Sequence, residues 1–389
     1  MNLADRKQCS GCGACVCKCN NSAITMLPDD DGFIYPAIDT EKCIECGLCR
    51  ESCPVLNPRN IKVNKVAYGA ISKDENIVKH SSSGGVFTEL ARLVLDKNGA
   101  VCGVAYSEDY KSAFHTFVEK EEDLDKLRGS KYVQSDTFYI YRRVKLYLDL
   151  DRYVLFSGVP CQVNALKQFL NIEYPKLLTV EIVCHGVPSS KMHGDYIEYL
   201  KTKYKSEIDV FSQRYKRLKL SGPYYYYARF RNGKEYKRVL RTDYIGSLYN
   251  RNLILRPSCY NCQAKLNETQ ADLTIGDFWG AENYSKFKSG NSSIIVANTQ
   301  KGVLTVESLR ERLEIVNVEI NTILKSNKSI NTSSIMPKER ASCLKDYSEG
   351  GFSYMLKKHY KISVKDQIII LLDSIGILDT IVSFKRHVK

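Results

Sequence analysis

The chain runs to 389 residues, 43% of them hydrophobic and 26% charged, with a formal net charge of +13. That length exceeds what one ordinary core encloses and predicts two or three domains of a soluble globular protein. Fifteen cysteines with no apolar leader ahead of them argue against a secreted disulfide framework; they point to metal ligands or catalytic thiols in a reducing compartment, the cytoplasm.

Residues 1–56 form a cysteine-rich unit. "CSGCGACVCKCNN" at 9–21 and "CIECGLCRESCP" at 43–54 repeat the spacing C-x2-C-x2-C-x3-C at an offset of 34 residues. Three thiolates on one tight loop can cap three irons of a cubane, and the fourth ligand then comes from the other copy. The spacing therefore assigns Cys9, Cys12, Cys15 and Cys53 to one [4Fe–4S] cluster, and Cys43, Cys46, Cys49 and Cys19 to a second. Gly11, Gly13 and Gly47 let the backbone close around such a cluster. A zinc or disulfide module is the rival, but zinc sites use two separated pairs rather than a triplet plus one. The unit resembles bacterial-type ferredoxins, with two departures: Asn20 stands where Pro54 follows the second motif, and Cys17 is an extra thiol.

"NPRNIKVNK" at 57–65 reads as a polar linker. From 66 to 319, "VAYGAI", "AVCGVAY", "YVLFSGV", "LLTVEIVC", "DLTIGDF" and "SIIVAN" are predicted strands alternating with helical patterns, as in an α/β domain. Val86, Leu90, Leu93 and Val94 fall at helical spacing, with Gly99 as a stop. Just before them, Ser81 to Gly85 make either a helix cap or an anion-binding turn. Neither G-x-G-x-x-G nor a P-loop occurs, so ordinary Rossmann and NTPase sites are unsupported.

"LFSGVPCQ" places Cys161 at a strand's C-terminal end, where open α/β sheets carry chemistry, and "VEIVCHGVPS" does the same for Cys184 and His185. "RPSCYNCQAK" adds Cys259 and Cys262. Together the four cysteines suffice for a third cluster; a zinc site on the C-x2-C pair and ordinary buried thiols are the alternatives. Cys102 and Cys343 read as core or surface thiols.

"PYYYYARFRNGKEYKRVLR" predicts a hairpin with a type I′ turn at Asn232-Gly233. Residues 214–241 hold ten Lys/Arg against one acid. A wet basic face is the main reading of that charge; a nucleic-acid surface is the lesser one, and a third has Arg229 and Arg231 gripping an anionic substrate. Residues 320–389 are polar, then helical. "IIILLDSIGILDTIVSF" at 368–384 is broken by Asp373 and Asp379, so it is not a transmembrane span. It packs on its own domain, docks a partner or another copy, or lies on a membrane surface.

Several of these motifs occur in a family-like order. "SSSGGVFTELARLVL", "LRGSKYVQSD", "LFSGVPCQVNALKQFL", "VCHGVPS", "RPSCYNCQAK" and "ADLTIGDFWG" resemble the coenzyme F420 hydrogenase/dehydrogenase beta-subunit family over residues 66 to 320. The resemblance implies an α+β ferredoxin-like domain at 1–56, an α/β flavoprotein domain at 66–319 and a helical extension at 320–389. It implies FAD beside the iron–sulfur clusters, exchanging electrons with a deazaflavin, another small molecule or a redox partner protein. Ser82, Ser83, Gly84 and Gly85 would face the flavin phosphates. Arg128, Ser130, Lys131 and Tyr132 would lie beside the flavin. Lys131 and His185 are the expected catalytic residues, Lys131 by stabilising a reduced, anionic ring, and Asp277 is structural or orients a ligand. Similar proteins occur in bacterial polysaccharide gene clusters. The expected function is an iron–sulfur flavoprotein oxidoreductase, with a non-catalytic electron-relay subunit as the alternative; a flavin joins two-electron donors to one-electron clusters.

Overall fold

The computed structural model describes residues 3–58, 65–137, 139–216, 224–265, 269–287, 291–378 and 380–381. In the N-terminal unit β1 (Ile24–Pro28) and β2 (Ile34–Ile38) form an antiparallel hairpin with Ile24 opposite Ile38. Two short helices, Ala14–Lys18 and Leu48–Glu51, flank it and carry the third thiol of each motif. Val16, Ile24 and Cys49 make a small core. So small a unit cannot bury much apolar surface alone; it leans on the rest of the chain.

The central domain is built on β3 (Val66–Ser72), β4 (Ala100–Tyr106), β5 (Ala113–Val118), β6 (Ser135–Asp136), β7 (Val154–Gly158) and β8 (Leu177–Ile182). Next come β9 (Ile208–Lys216), β10 (Tyr224–Phe230) and β11 (Glu235–Val239), then β12 (Leu273–Asp277), β13 (Ser293–Ala297) and β14 (Leu313–Val318). Nine of these form one mixed sheet in the order β14-β3-β13-β12-β8-β7-β4-β5-β6. β12, β8, β7 and β4 run parallel to one another. They are near-continuous apolar runs because helices and loops cover both faces. All six predicted strands lie in this sheet. β5, β6 and β14, which the apolar pattern did not reveal, sit toward its two edges.

The helix Val86–Leu95 packs Leu90, Ala91 and Val94 on the sheet. It ends at Leu95, before the predicted stop at Gly99. The helix Pro160–Leu170 follows β7 directly; Pro160 at its first position forfeits only an amide that a helix start leaves unpaired.

β9, β10 and β11 form a separate antiparallel sheet. Together with the helices Ser190–Tyr204, Tyr244–Asn250 and Arg340–His359 it encloses a second core rich in tyrosine. Buried Asp243 is satisfied there by Tyr196, Tyr236 and the Gly246 amide. The hairpin turn differs from type I′: only Gly233 has positive φ, Gly233 N donates to Phe230 O, and Phe230 N donates to Lys234 O. This is a three-residue loop ending in a left-handed glycine. The long helix of the extension supplies Cys343, Leu344, Tyr347 and Phe352 to this second core, so it is a packed element rather than a free tail.

Candidate functional site

The first cysteine loop is held by the central domain through its carbonyls. Arg256 donates to Cys9 O and Ile34 O, both at 2.8 Å. Gln134 donates to Ser10 O at 3.2 Å, and Thr137 and Tyr141 both donate to Cys12 O. Arg142 takes Cys17 O and Cys19 O at 2.6 and 2.7 Å. Gly11 has φ +65, and a Cβ there would meet Gln134 Nε2 at 2.7 Å and Arg256 Nη1 at 2.9 Å. Glycine is therefore demanded by the clamp as well as by the turn.

Two neighbourhoods of thiols stand out at the front, Cys9, Cys12, Cys15 and Cys53 in one and Cys19, Cys46 and Cys49 in the other. Burial pushes Cys12 up to about 12, with further repulsion from Cys9 and Cys53. Cys15 is raised by burial and then by Cys12, Cys9 and Cys53. Cys49 is raised by burial, and Cys19 and Cys46 add to it. A dry thiol ionises only when a cation offsets the charge, which bound iron supplies. None of these cysteines is in a disulfide. Cys17, Cys102 and Cys343 are fully buried and pack as core side chains, Cys17 in a cluster that Cys12 packs against.

Cys161, Cys184, Cys259 and Cys262 border one small cavity of about 70 Å³. Gln8, Ser10, Pro54 and Val55 of the N-terminal unit line it too. Burial raises Cys161, and the other three cysteines and Cys12 reinforce the shift. Burial likewise takes Cys184 to about 11 and Cys259 to about 12. Lys265 donates to Cys184 O and Ser329 O, fixing the loop after β8. Among the described residues no three such side chains already stand at single-ion spacing.

A second cavity, of about 990 Å³, adjoins the first, and Cys161, Cys184 and His185 line both. It has the size of a cofactor site. The serine turn forms one wall. Ser83 Oγ donates to Ser292 O, and the Gly84 amide donates to Ser293 Oγ. A Cβ on Gly84 would stand 2.6 Å from Ala70 O, so only glycine lets the turn lie this close to the sheet. Ser130 Oγ donates to Ser82 Oγ at 3.0 Å. Arg128 reaches Thr88 and Asp125. Lys131 Nζ donates to Arg128 O at 2.8 Å and to Lys126 O at 3.3 Å. Burial lowers Lys131 to about 7: protein surrounds the ammonium, and what is open around it faces the cavity. The Tyr132 ring leans on Tyr249, and its amide donates to Gln213. His185 Nε2 lies 2.6 Å from Asn252 Oδ1, and burial lowers its pKa.

The sequence reading missed β9 as a wall of this cavity. Arg214 forms a 2.6 Å ion pair with Asp277 and stacks on Tyr224 at 4.0 Å; all three line the cavity. Asp277 is thereby a charge partner for a buried arginine. Lys216 pins the serine turn from behind, through Val78 O and Ser83 O. Arg241 and the half-exposed Trp279 complete the rim. The signal was present in the excess of Lys/Arg from 214, but composition does not tell which bases face inward. Arg229 instead pairs with Asp209 on the outer surface, and Arg231 is exposed; neither lines the cavity. The structure gives those two no part in gripping a ligand there.

Comparison with known proteins places the chain in a family. "Coenzyme F420 hydrogenase/dehydrogenase, beta subunit N-term" matches residues 67–140, and the corresponding C-terminal family description matches 151–322. A "4Fe-4S dicluster domain" matches 8–57. The chain is 24% identical over 220 residues to a coenzyme F420-dependent sulfite reductase of Methanocaldococcus jannaschii, covering 54% of this chain and 34% of that protein. It is 23% identical over 197 residues to an uncharacterized protein of the same organism, covering 43% and 54%. An uncharacterized ferredoxin from that source is 38% identical over 74 residues, 19% of this chain and 88% of the ferredoxin. The chain thus spans about half or less of the first two relatives. A structure of the F420-reducing [NiFe] hydrogenase complex from Methanosarcina barkeri aligns at TM-score 0.46 and 16% identity, over 75% of this chain and 94% of that one. The clamped cysteine loops, the serine turn and the thiols behind it fall inside three adjoining family matches, and the chain belongs to the coenzyme F420 hydrogenase/dehydrogenase beta-subunit family, with a 4Fe-4S dicluster domain at its front.

Proposed function

We propose that the chain is an iron–sulfur flavoprotein that moves electrons between a small hydride-type donor or acceptor and a redox partner. One observation carries this reading: Cys161 and Cys184 line both cavities, and the smaller one is also walled by the dicluster unit. The two spaces therefore adjoin each other and the dicluster unit, and Ser10, Gly11 and Cys12 of the first loop line the large cavity as well. The residues fit the groups. The small cavity offers four half-buried thiols around about 70 Å³, more room than one zinc ion needs. The large one offers hydroxyls, Arg128 and Lys131 on a wall too tight for any side chain at Gly84.

When bound, a flavin would exchange a hydride pair with substrate and single electrons with clusters. The chain's own residues would do the rest. Ser82, whose oxygen accepts from Ser130, would donate its own proton to a phosphate oxygen, with Lys216 keeping the turn in place. Lys131, poised near neutrality, would place positive charge beside the ring. His185 would be held by Asn252 with Nε2 as donor, leaving Nδ1 as an acceptor of protons from the substrate. Tyr249 edges against the His185 ring at 5.3 Å and would fix its plane. The pair Arg214–Asp277 would keep the opposite wall polar but neutral. No residue of the cavity singles out a polysaccharide precursor.

The second reading is a relay subunit that transforms nothing itself. Cys46 is exposed and Ile44 is 68% exposed, so the outer thiol loop is open to a partner protein. Oxygen-free purification with iron, sulfide and flavin analysis, followed by turnover with deazaflavin or nicotinamide donors and an artificial acceptor, tests both. Flavin with turnover supports the enzyme. Clusters reducible by dithionite without turnover support the relay, and a colourless zinc-loaded protein ends both.

A further inference from the structure

The helix Val364–Ser374 rests on the protein with its charged side inward. Asp366 pairs with Arg241 at 2.8 Å; Asp373 accepts from the Tyr225 hydroxyl at 2.9 Å and lies 3.4 Å from Lys237. Ile369 and Ile370, on the same side, are half-buried. The opposite side carries Val364, Ile368, Leu371 and Ile375 at spacings of i, i+4, i+7 and i+11, and they are 73%, 52%, 60% and 56% exposed. No residue of the helix is buried. A surface helix ordinarily buries its aliphatic stripe and turns its charges to water. Here the order is reversed, and a continuous apolar face is left open.

The charge around the stripe indicates what covers it. From 352 to 389 the chain carries seven Lys/Arg against three Asp. Two of those acids, Asp366 and Asp373, are already paired on the inward side. Lys357, Lys361 and Lys365 are exposed at or before the helix start. Lys385, Arg386 and Lys389 close the sequence. An open aliphatic stripe next to exposed lysines, on a helix whose two acids Asp366 and Asp373 both turn inward, is the chemistry of a helix lying on anionic lipid. A second copy of the same face would set basic cluster against basic cluster, which opposes self-association.

We propose that this helix docks the protein on an anionic membrane surface. Val364, Ile368, Leu371 and Ile375 enter the boundary between headgroups and acyl chains, and the exposed Lys357, Lys361 and Lys365 meet lipid phosphates. This is attachment, not spanning: among the described residues no helix is long and apolar enough to cross a bilayer. Arg241 both holds Asp366 and lines the large cavity, so the lipid-facing helix is tied to the wall of the redox site. The docking does not depend on what fills that cavity.

The test is flotation of the full, cluster-loaded chain with vesicles of phosphatidylcholine alone or mixed with phosphatidylglycerol. The wild-type protein is expected to float with the anionic vesicles only, less so as salt rises. An Ile368→Ser/Leu371→Ser double variant alters side chains that are exposed in the free protein, so melting and iron content should hold. Its vesicle-bound fraction should fall about tenfold or more, since two aliphatic side chains no longer leave water. Neutralising the end by Lys385→Gln, Arg386→Gln and Lys389→Gln should weaken binding to anionic vesicles in the same direction. Failure of the wild type to float with either vesicle, or equal flotation of the double variant, overturns the proposal. So does a wild-type dimer in light scattering that the double variant abolishes, which would give the stripe to a second copy.

Discussion

Arg256 offers the sharpest test of how the two halves are joined. It is 1% exposed, and its guanidinium serves Cys9 O, Ile34 O and Gln134 Oε1 while stacking 4.3 Å over Tyr35. Arg256→Met keeps the aliphatic stem but strands three buried acceptors. Each stranded acceptor costs about 1–3 kcal/mol, a gross loss of roughly 3–9 kcal/mol. Water entering the seam and the removed cost of desolvating a guanidinium offset part of this. A net loss of about 3 kcal/mol corresponds to roughly a hundredfold rise in local opening. Amide hydrogen exchange on the oxygen-free protein reads it directly: residues 9–19 and 34–38 should lose about two decades of protection, while β7 and β8 stay unchanged. Arg256→Lys keeps the charge but not the fork, and should fall between. Protection within about threefold of wild type in the Met variant would refute the clamp.

Three further outcomes follow from the geometry. Cys259→Ser should lower iron from about twelve to about eight per chain and leave the front clusters' signals intact; retention of the full iron content would remove Cys259 from the third thiol set. Gly84→Ala should push the serine turn off Ala70 O, cost about 1–3 kcal/mol and empty the large cavity of flavin while sparing iron, as absorbance and iron assay can separate. Lys131→Met should stabilise the protein in a pH-dependent way. Its folded pKa is lowered to about 7, so the desolvation penalty is fully present below that value. The penalty is relieved as pH rises toward the ordinary lysine range, because there the unfolded chain binds the proton and the folded one does not. The gain in melting temperature should therefore be larger at pH 6.5 than at pH 9.5, and an equal gain at both would show that Lys131 is not desolvated.

Much of the scaffold was legible because parallel strands buried on both faces announce themselves as short apolar runs, as in "YVLFSGV" and "LLTVEIVC". The strands near the sheet edges were not. β6 is two residues long and β5 places His115 in the core, so neither carries an apolar signature. The turn after Phe230 was misread because Asn-Gly also suits a three-residue loop, and only the strand register decides between the two. The thiol sets were legible to the degree that they are local. C-x2-C-x2-C fixes three ligands within one turn of chain, whereas Cys161, Cys184 and Cys259 meet only because the segments after β7 and β8 and the loop before β12 converge beyond the C-terminal ends of central strands. The inward bases on β9 were illegible for the same reason. Arg214 and Arg229 have the same chemistry, and their different neighbours, Asp277 and Asp209, assign one to the cavity and the other to water.

The repeated motif hides an asymmetry that matters for electron flow. In the first loop, the carbonyls of Cys9, Ser10, Cys12, Cys17 and Cys19 are drawn outward by side chains of the central domain. Backbone amides reach thiols in both loops, Ala14 toward Cys12 and Val16 toward Cys15 in the first and Arg50 toward Cys49 in the second. Donors facing a cluster favour its more negative, reduced state in either loop. The second loop is held largely from within: Gly47 O accepts from Arg50 and Glu51, and Cys49 O accepts from Ser52. Its principal outside tie is Gln168 to Glu51 O at 2.9 Å. One set is thus gripped and dry against the third thiol set, and the other is self-supporting with Cys46 at the surface. Two loops of identical spacing are not interchangeable once one is built into the wall of the next domain. Their sequence sets what they can hold, and their neighbours set which of them faces the cavity and which faces the outside.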